Sequence, residues 1–386
     1  SLLKLLLLDK TTKKNIIWAT DTYKEFGEGF FDKEEINEKL LLYHIDIIKP
    51  RIEKSLETQS DRTRKRAEVF TPARLCNKMN NYLDEEWFGR KAVFNIENSD
   101  NTWTVVDIPI EFPRKTWQDY IDSRRLEITC GEAPYLVSRY DVSTGEFIKN
   151  TKARIGQLDR KLRIVNENTY NRDEWLKWTV RAFEACYGYE YQGDNLLIAR
   201  INLFLTFLDY YRERWDSEPD EKLMKTIANI IVYNIWQMDG LKGTVPLGKL
   251  DGEYNQISFC GLLPGFEELK EEKAIDCKVY NWRSDRYIVF RRIGDKSGKK
   301  KLFDYVIGNP PYQESQVSTS DKPVYNYFLD EAYKVGKKAE FITPARFLFN
   351  AGKTAKSWNK KMLTDIHFKV LNYESDATSV FPATDI

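Results

Sequence analysis

Two consecutive prolines at 310 and 311 constrain this chain more than any other feature. They follow Phe303-Asp304-Tyr305-Val306-Ile307-Gly308-Asn309 and precede Tyr312. Each proline fixes φ and removes a backbone donor, so the chain can neither continue as a central strand nor enter a helix interior there. Tyr305 to Ile307 therefore read as a buried strand that runs into a stiff turn, and Pro310 pushes Asn309 into an extended conformation. The Asn309 amide and the Pro310 carbonyl are then held side by side, with an aromatic ring close behind. Both oxygens can accept from an NH₂ group, and the Tyr312 ring can stack on the attached base. This suits a planar group bearing an amine. The plainer alternative is a Pro-Pro turn that only closes a strand of an α/β protein.

The tetrapeptide Asn309-Pro310-Pro311-Tyr312, with its Asp-Tyr-Val-Ile-Gly strand, resembles the signature of S-adenosylmethionine-dependent amino methyltransferases, above all the DNA adenine-N6 enzymes. Other segments extend the resemblance in one order. Phe70-Thr71-Pro72 leads into an amphipathic helix through Met79 and Leu83. Thr71 as N-cap with Pro72 at the first helical position is an ordinary helix start, which leaves N–H groups free for an anion. In the family such a segment contacts the amino-acid end of the cofactor. Glu127-Ile128-Thr129-Cys130-Gly131-Glu132-Ala133-Pro134 resembles the family's glycine loop, whose small residues let backbone approach a ligand. It departs where Ala133 replaces a second Gly, which is unfavourable if that position needs φ > 0. A plain β-turn is the other reading.

Strand two is expected over Ala185 to Glu190, where Glu190 can accept from both ribose hydroxyls and Tyr191 can pack on the adenine. Glu190 lies about 60 residues from the glycine loop, against about 20 in the simple dinucleotide pattern, so this reading requires an insertion at 148–178. A surface glutamate is the alternative. Ile230 to Gln237 reads as strand three, ending in Asp239-Gly240-Leu241. The family's acid there accepts from the cofactor's exocyclic amine. Val380-Phe381-Pro382 resembles the segment whose Phe stacks on the far face of the extruded base. The order, Thr-Pro before the glycine loop, is the family's gamma arrangement, and the nearest likeness is to the methylase component of bacterial restriction-modification systems.

Composition sets bounds. With 386 residues, and 60 Lys and Arg against 59 Asp and Glu, the chain has no global positive field, so any DNA contact must come from a local patch. The densest basic run, Arg62 to Arg66, reads as a solvated helix end or a phosphate-contacting edge. Five scattered cysteines and two histidines argue for reduced cytoplasmic thiols and against a zinc site. Leu2 to Leu8 falls far short of the roughly 18 apolar residues that span a bilayer, and it lacks the marks of a signal peptide.

The expected fold is α/β: a Rossmann-like, mostly parallel, seven-stranded sheet with helices on both faces. Residues 1–66 form an N-terminal helical segment, with Asp32 and Glu35 as a capping box, and 67–386 the catalytic domain. Insertions are expected near 89–120, 148–178 and 242–302, the last with a hairpin of Lys278–Trp282 against Tyr287–Arg292. A mobile polar loop at 315–322 precedes a helix from Tyr325 and a fifth strand, Ala339 to Pro344. The chain starts at Ser1 and is expected to be part of a longer protein, with target recognition in residues beyond Ile386 or in a specificity or restriction subunit.

The resemblance implies that S-adenosylmethionine is the cofactor, held by Phe70, Thr71, Pro72, Glu127, Thr129, Cys130, Gly131, Ala133, Glu190, Tyr191, Asp239 and Gly240. Double-stranded DNA is the implied partner. Asn309, Pro310, Pro311 and Tyr312 are the implied catalytic residues, with Tyr312 and Phe381 sandwiching the flipped base and no metal required. Two other readings stay open: methylation of another planar amine (an RNA base or a protein glutamine), or a silent methyltransferase-like subunit, which Glu132-Ala133-Pro134 keeps in view.

Overall fold

The computed structural model describes residues 1–44, 46–55, 58–59, 62, 71–249, 273–294, 300–314 and 322–381. Phe70, the basic residues Arg64 to Arg66, the stretch 315–321 and Pro382 to Thr384 lie outside the described residues.

The central sheet consists of β1 (Arg125–Ile128), β2 (Cys186–Glu190), β3 (Ile235–Gln237), β4 (Phe303–Gly308) and β5 (Gly336–Phe341), in the order β5-β4-β1-β2-β3. All neighbouring strands are parallel. The chain thus starts in the middle, builds outward through β2 and β3, and returns to the other flank of β1 with β4. Connections leave β1 and β4 in opposite directions, which opens a crevice between their carboxyl ends, where open α/β sheets bind ligands. The resemblance implies seven strands; five are present among the described residues.

A parallel sheet covered on both faces needs strands that are apolar throughout, and β1 and β2 are buried along their whole length. On one face, Tyr305 and Ile307 of β4 join the core formed with α1 (Ala73–Phe88), α2 (Gln157–Asn168), α3 (Arg172–Glu184), α4 (Gly193–Trp215) and α5 (Glu221–Asn234). On the other, Phe303 and Val306 pack with Tyr189, Trp236 and Phe328 of α6 (Tyr325–Val335). Two hairpins decorate this frame, Asn95–Glu97 with Trp103–Val105 and Lys278–Asn281 with Arg286–Val289. No described helix is long and apolar enough to cross a membrane.

Several sequence expectations need correction. The strand expected from Ile230 is mostly helix, because α5 runs to Asn234 before the short β3 begins. Ile230, Ile231 and Val232 are buried on α5, and an apolar run of that length does not separate a buried helix end from a strand. The first 60 residues are not mainly helical: the described part holds the short α-helices Leu2–Leu7 and Glu38–Tyr43, helical Thr58 and Gln59, and two 3₁₀ turns. Asn37, not Asp32, caps the second helix, while Glu35 bridges to Ile17 in an antiparallel pair. Thr71 is not an N-cap. Pro72 takes the cap position, and the Asp141 carboxylate accepts from the Ala73 amide at 3.1 Å. Arg62 is neither solvated nor on an edge: it is buried, and its guanidinium forks onto Asp194 at 2.8 and 3.3 Å. Lys54 and the Tyr23 hydroxyl complete that cluster at 3.0 and 2.7 Å from Asp194.

Candidate active site

The turn after β4 stands where the crevice opens. Gly308 pairs with Ile128 across the β1–β4 boundary, and a Cβ there would lie 2.6 Å from Ile128 Cγ1 and 2.8 Å from its carbonyl oxygen. Only glycine lets the strands approach this closely, and the approach carries Asn309 to the β1 edge. The Asn309 Nδ2 donates to Thr71 Oγ1 at 3.4 Å, and the Thr129 hydroxyl lies 3.5 Å from the Asn309 carbonyl oxygen while donating to Ile128 O at 2.8 Å. Tyr135 adds its hydroxyl to Thr71 at 3.3 Å. Asn309 Oδ1 is buried and has no hydrogen-bond partner among the described residues. A buried acceptor left unmet costs about 1–3 kcal/mol, and such atoms concentrate where a ligand supplies the donor. Pro310 is buried beside it, and the half-buried Tyr312 is fixed through its carbonyl, which accepts from Val324 N at 3.1 Å. Burial pushes the Tyr312 phenol above its ordinary range, and the adjacent Asn309 side chain opposes the shift.

The loop after β1 is strained by design. Thr129, Gly131 and Ala133 all have positive φ, 44°, 54° and 64°. Ala133 therefore occupies the conformation that a glycine would take without penalty, as its place in the glycine-loop pattern implied. The Cys130 amide donates to Tyr189 O at 2.9 Å, and its thiol is buried and pushed up by burial, so it is packing rather than a nucleophile. Glu190 spans the two loops at the crevice: one oxygen accepts from Gly131 N at 2.9 Å, the other from Gln192 N at 3.0 Å.

Glu127, expected at the cofactor from the sequence, is engaged with its own loop. Its oxygens accept from the Tyr135 and Leu136 amides at 3.4 and 3.0 Å, and it braces the loop from behind. Burial pushes its carboxyl well above the usual range. Glu132, between Gly131 and Ala133, is likewise engaged: it accepts from Arg51 N and the Tyr140 hydroxyl, both at 2.6 Å, and so anchors the N-terminal segment. Asp239 Oδ1 accepts from the Leu241 and Lys242 amides at 3.0 and 3.2 Å, which makes the turn after β3 an Asx-turn. Gly240 is dictated by space, since a Cβ would meet Phe328 and Tyr189 at 2.7 Å. The Tyr191 carbonyl accepts from Gln237, which also exchanges hydrogen bonds with Ile17 at 2.9 and 2.8 Å. Phe381 is buried at the close of the short turn Ala377–Ser379.

With this geometry in place, a comparison with protein-family models becomes informative: the Eco57I restriction-modification methylase model matches residues 184–381. The chain belongs to the Eco57I restriction-modification methylase family. The matched span runs from the end of α3 through β2, β3, the Asn309 turn and Phe381. Thr71 and the loop after β1 lie outside that span and are joined to it by the hydrogen bonds just described. No curated protein matches the chain.

Sequence reasoning missed two features of the methylase site. One is Tyr135, whose hydroxyl meets both Thr71 and Met79 Sδ (3.2 Å). The other had a visible signal: Thr343-Pro344-Ala345-Arg346 repeats Thr71-Pro72-Ala73-Arg74. Both tetrapeptides open a helical turn at their alanine, and the second follows Ile342, whose amide donates to Gly308 O at 3.3 Å. The Asn309 strand is therefore flanked by two copies of one helix-opening sequence.

Proposed function

We propose that this methylase transfers a methyl group from S-adenosylmethionine to the N6 amine of an adenine extruded from double-stranded DNA. The observation that carries the reading is the unmet Asn309 Oδ1 at the mouth of the β1–β4 crevice, followed by a proline that has no donor of its own. Adenine N6 is a poor nucleophile because its lone pair is delocalised into the ring. Hydrogen bonds from that amine to Asn309 Oδ1 and the Pro310 carbonyl favour a more tetrahedral nitrogen, so positioning and electrostatics supply the catalysis. Thr71 fixes the Asn309 amide by taking its Nδ2, which leaves the oxygen for substrate. Pro311 holds the turn rigid. Tyr312 and Phe381 are assigned the two faces of the base, and stacking between them offsets part of the few kcal/mol needed to unstack it.

The donor set fits the cofactor. Glu190 supplies a carboxylate for a ribose diol, and Asp239 one for an exocyclic amine, each at the end of a sheet strand beside the crevice. Thr129, Cys130, Gly131 and Ala133 bring backbone to the crevice; we assign Thr71 and Pro72 to the amino-acid end of the cofactor, Tyr191 and Gly240 to its adenine, and Glu127 to bracing the loop. When bound, S-adenosylmethionine supplies an electrophilic sulfonium methyl.

Titration calorimetry with S-adenosylmethionine tests the cofactor half of the reading. Binding is expected, and its absence would favour a silent subunit. Residues 1–386 are expected to bind duplex DNA weakly and without sequence preference, because site selection needs several kcal/mol of base readout. We assign that readout to a specificity or restriction subunit. Efficient modification of one defined site by this chain alone would contradict the assignment.

A further inference from the structure

The catalytic edge of the sheet carries a surface with no role in the chemistry above. β5 ends at Phe341 beside Gly308, and the chain continues through the 3₁₀ turn Ala345–Phe349 into α7 (Lys356–Thr364). From 345 to 373 it holds Arg346, Lys353, Lys356, Lys360, Lys361 and Lys369 against one acid, Asp365, although the whole chain has a formal charge of only +1. All six cations are exposed. Lys361 pairs with Asp330 at 2.7 Å, but Arg346, Lys356, Lys360 and Lys369 have no carboxylate partner among the described residues.

The placement is unfavourable for the fold by itself. Lys356 and Lys360 stand four apart on the exposed side of α7, a like-charge spacing that destabilises a helix. Lys356 is also the first residue of a helix that has no acid in its first turn and no side-chain cap, where the macrodipole opposes a cation. An external polyanion accounts for both.

The surface is held firmly. Phe349, 68 % exposed, stands at the tip of its turn, followed by Asn350 at φ 53°. Asn359 donates to Asn350 Oδ1 at 3.2 Å and accepts from the Thr354 hydroxyl at 2.7 Å, so the tip is braced from α7. The Tyr373 ring lies 6.1 Å from Phe349, and its segment is tied to α1 by Lys78 Nζ to Asn372 Oδ1 at 3.1 Å.

We propose that this face, from Arg346 across α7 to Lys369, is where a DNA duplex lies while its base occupies the Asn309 site. The unpartnered cations take backbone phosphates, and Phe349 packs against the DNA at the tip. Charge complementarity selects the occupant, since duplex DNA offers one negative charge per roughly 1.7 Å of axis. The inference rests on the DNA methyltransferase reading and adds the side of the sheet from which the duplex approaches.

Binding of a mixed-sequence duplex, followed by fluorescence anisotropy over a range of salt, tests it on the whole chain. Lys356→Glu combined with Lys360→Glu should weaken binding about tenfold or more at low salt. The slope of log affinity against log salt should fall by about 2, at about 0.9 per phosphate contact. The Lys356→Gln, Lys360→Gln pair should show the same slope change with a smaller loss, and Phe349→Ala should weaken binding with the slope unchanged. Melting temperature should be no lower than wild type, because the replaced lysines are unfavourable for the helix, and S-adenosylmethionine affinity should stay at its wild-type value. Unchanged duplex affinity and slope in both lysine pairs would overturn the proposal, as would a wild-type chain with no salt-dependent duplex affinity. So would a change of oligomeric state in the variants with no effect on DNA, which would mark the face as an interface between copies. If the wild type binds no cofactor yet the variants lose slope, the methyl-transfer reading fails and the docking surface stands.

Discussion

Asn309 and Thr71, 238 positions apart in sequence, meet at 3.4 Å through the Asn309 Nδ2 and the Thr71 hydroxyl. The bond fixes which way the amide points, and the remaining oxygen is the buried acceptor without a partner. Asn309→Ala should therefore abolish methyl transfer while S-adenosylmethionine affinity stays near wild type, because the side chain is assigned to the substrate amine in the proposed mechanism. Turnover assays paired with calorimetry read the two effects separately. Full turnover in the variant would remove the tetrapeptide from the chemistry.

Glu190 makes the opposite prediction. Its carboxylate holds the Gly131 and Gln192 amides and is assigned the ribose. Glu190→Ala should weaken S-adenosylmethionine binding by about 1–3 kcal/mol, the scale of a lost charged hydrogen bond. Unchanged affinity by calorimetry would place the ribose acid elsewhere.

The parts of this site that sequence revealed are those governed by local covalent chemistry. Pro310 and Pro311 forced a strand end, and Ala133 stood where a glycine is usual and adopts a positive φ of 64°. What stayed hidden depends on partners distant in sequence. Arg62 looked solvated because its neighbours are basic, yet it is neutralised by Asp194, 132 positions away. Glu127 stood in the motif, but its bonds to the Tyr135 and Leu136 amides of the same loop had no signal in the sequence. Ile230 to Val232 were read as strand because burial alone does not distinguish the inner side of α5 from the interior of a sheet.

Asp194 is the buried pin of the N-terminal segment. Burial by itself would raise its carboxyl, but Arg62 and Lys54 outweigh burial and hold it far below the usual carboxylate range. A depressed folded-state pKa gives stability that is present above the ordinary carboxyl value, about 3.9, and is lost as pH falls below it. Asp194→Asn removes the carboxylate charge that Arg62 and Lys54 share and should destabilise the protein by about 3–5 kcal/mol at pH 7. The difference from wild type should shrink below about pH 4. Urea melts at several pH values check both, and a variant as stable as wild type at neutral pH would show that the cluster does not hold the segment.

The most direct test of the central claim is the identity of the methylated product. Duplex DNA is incubated with the protein and methyl-labelled S-adenosylmethionine, then digested to nucleosides and separated. The account predicts label in N6-methyladenine, lost in Asn309→Ala. Label confined to a cytosine product, or N6-methyladenine formed equally by the variant, would contradict it.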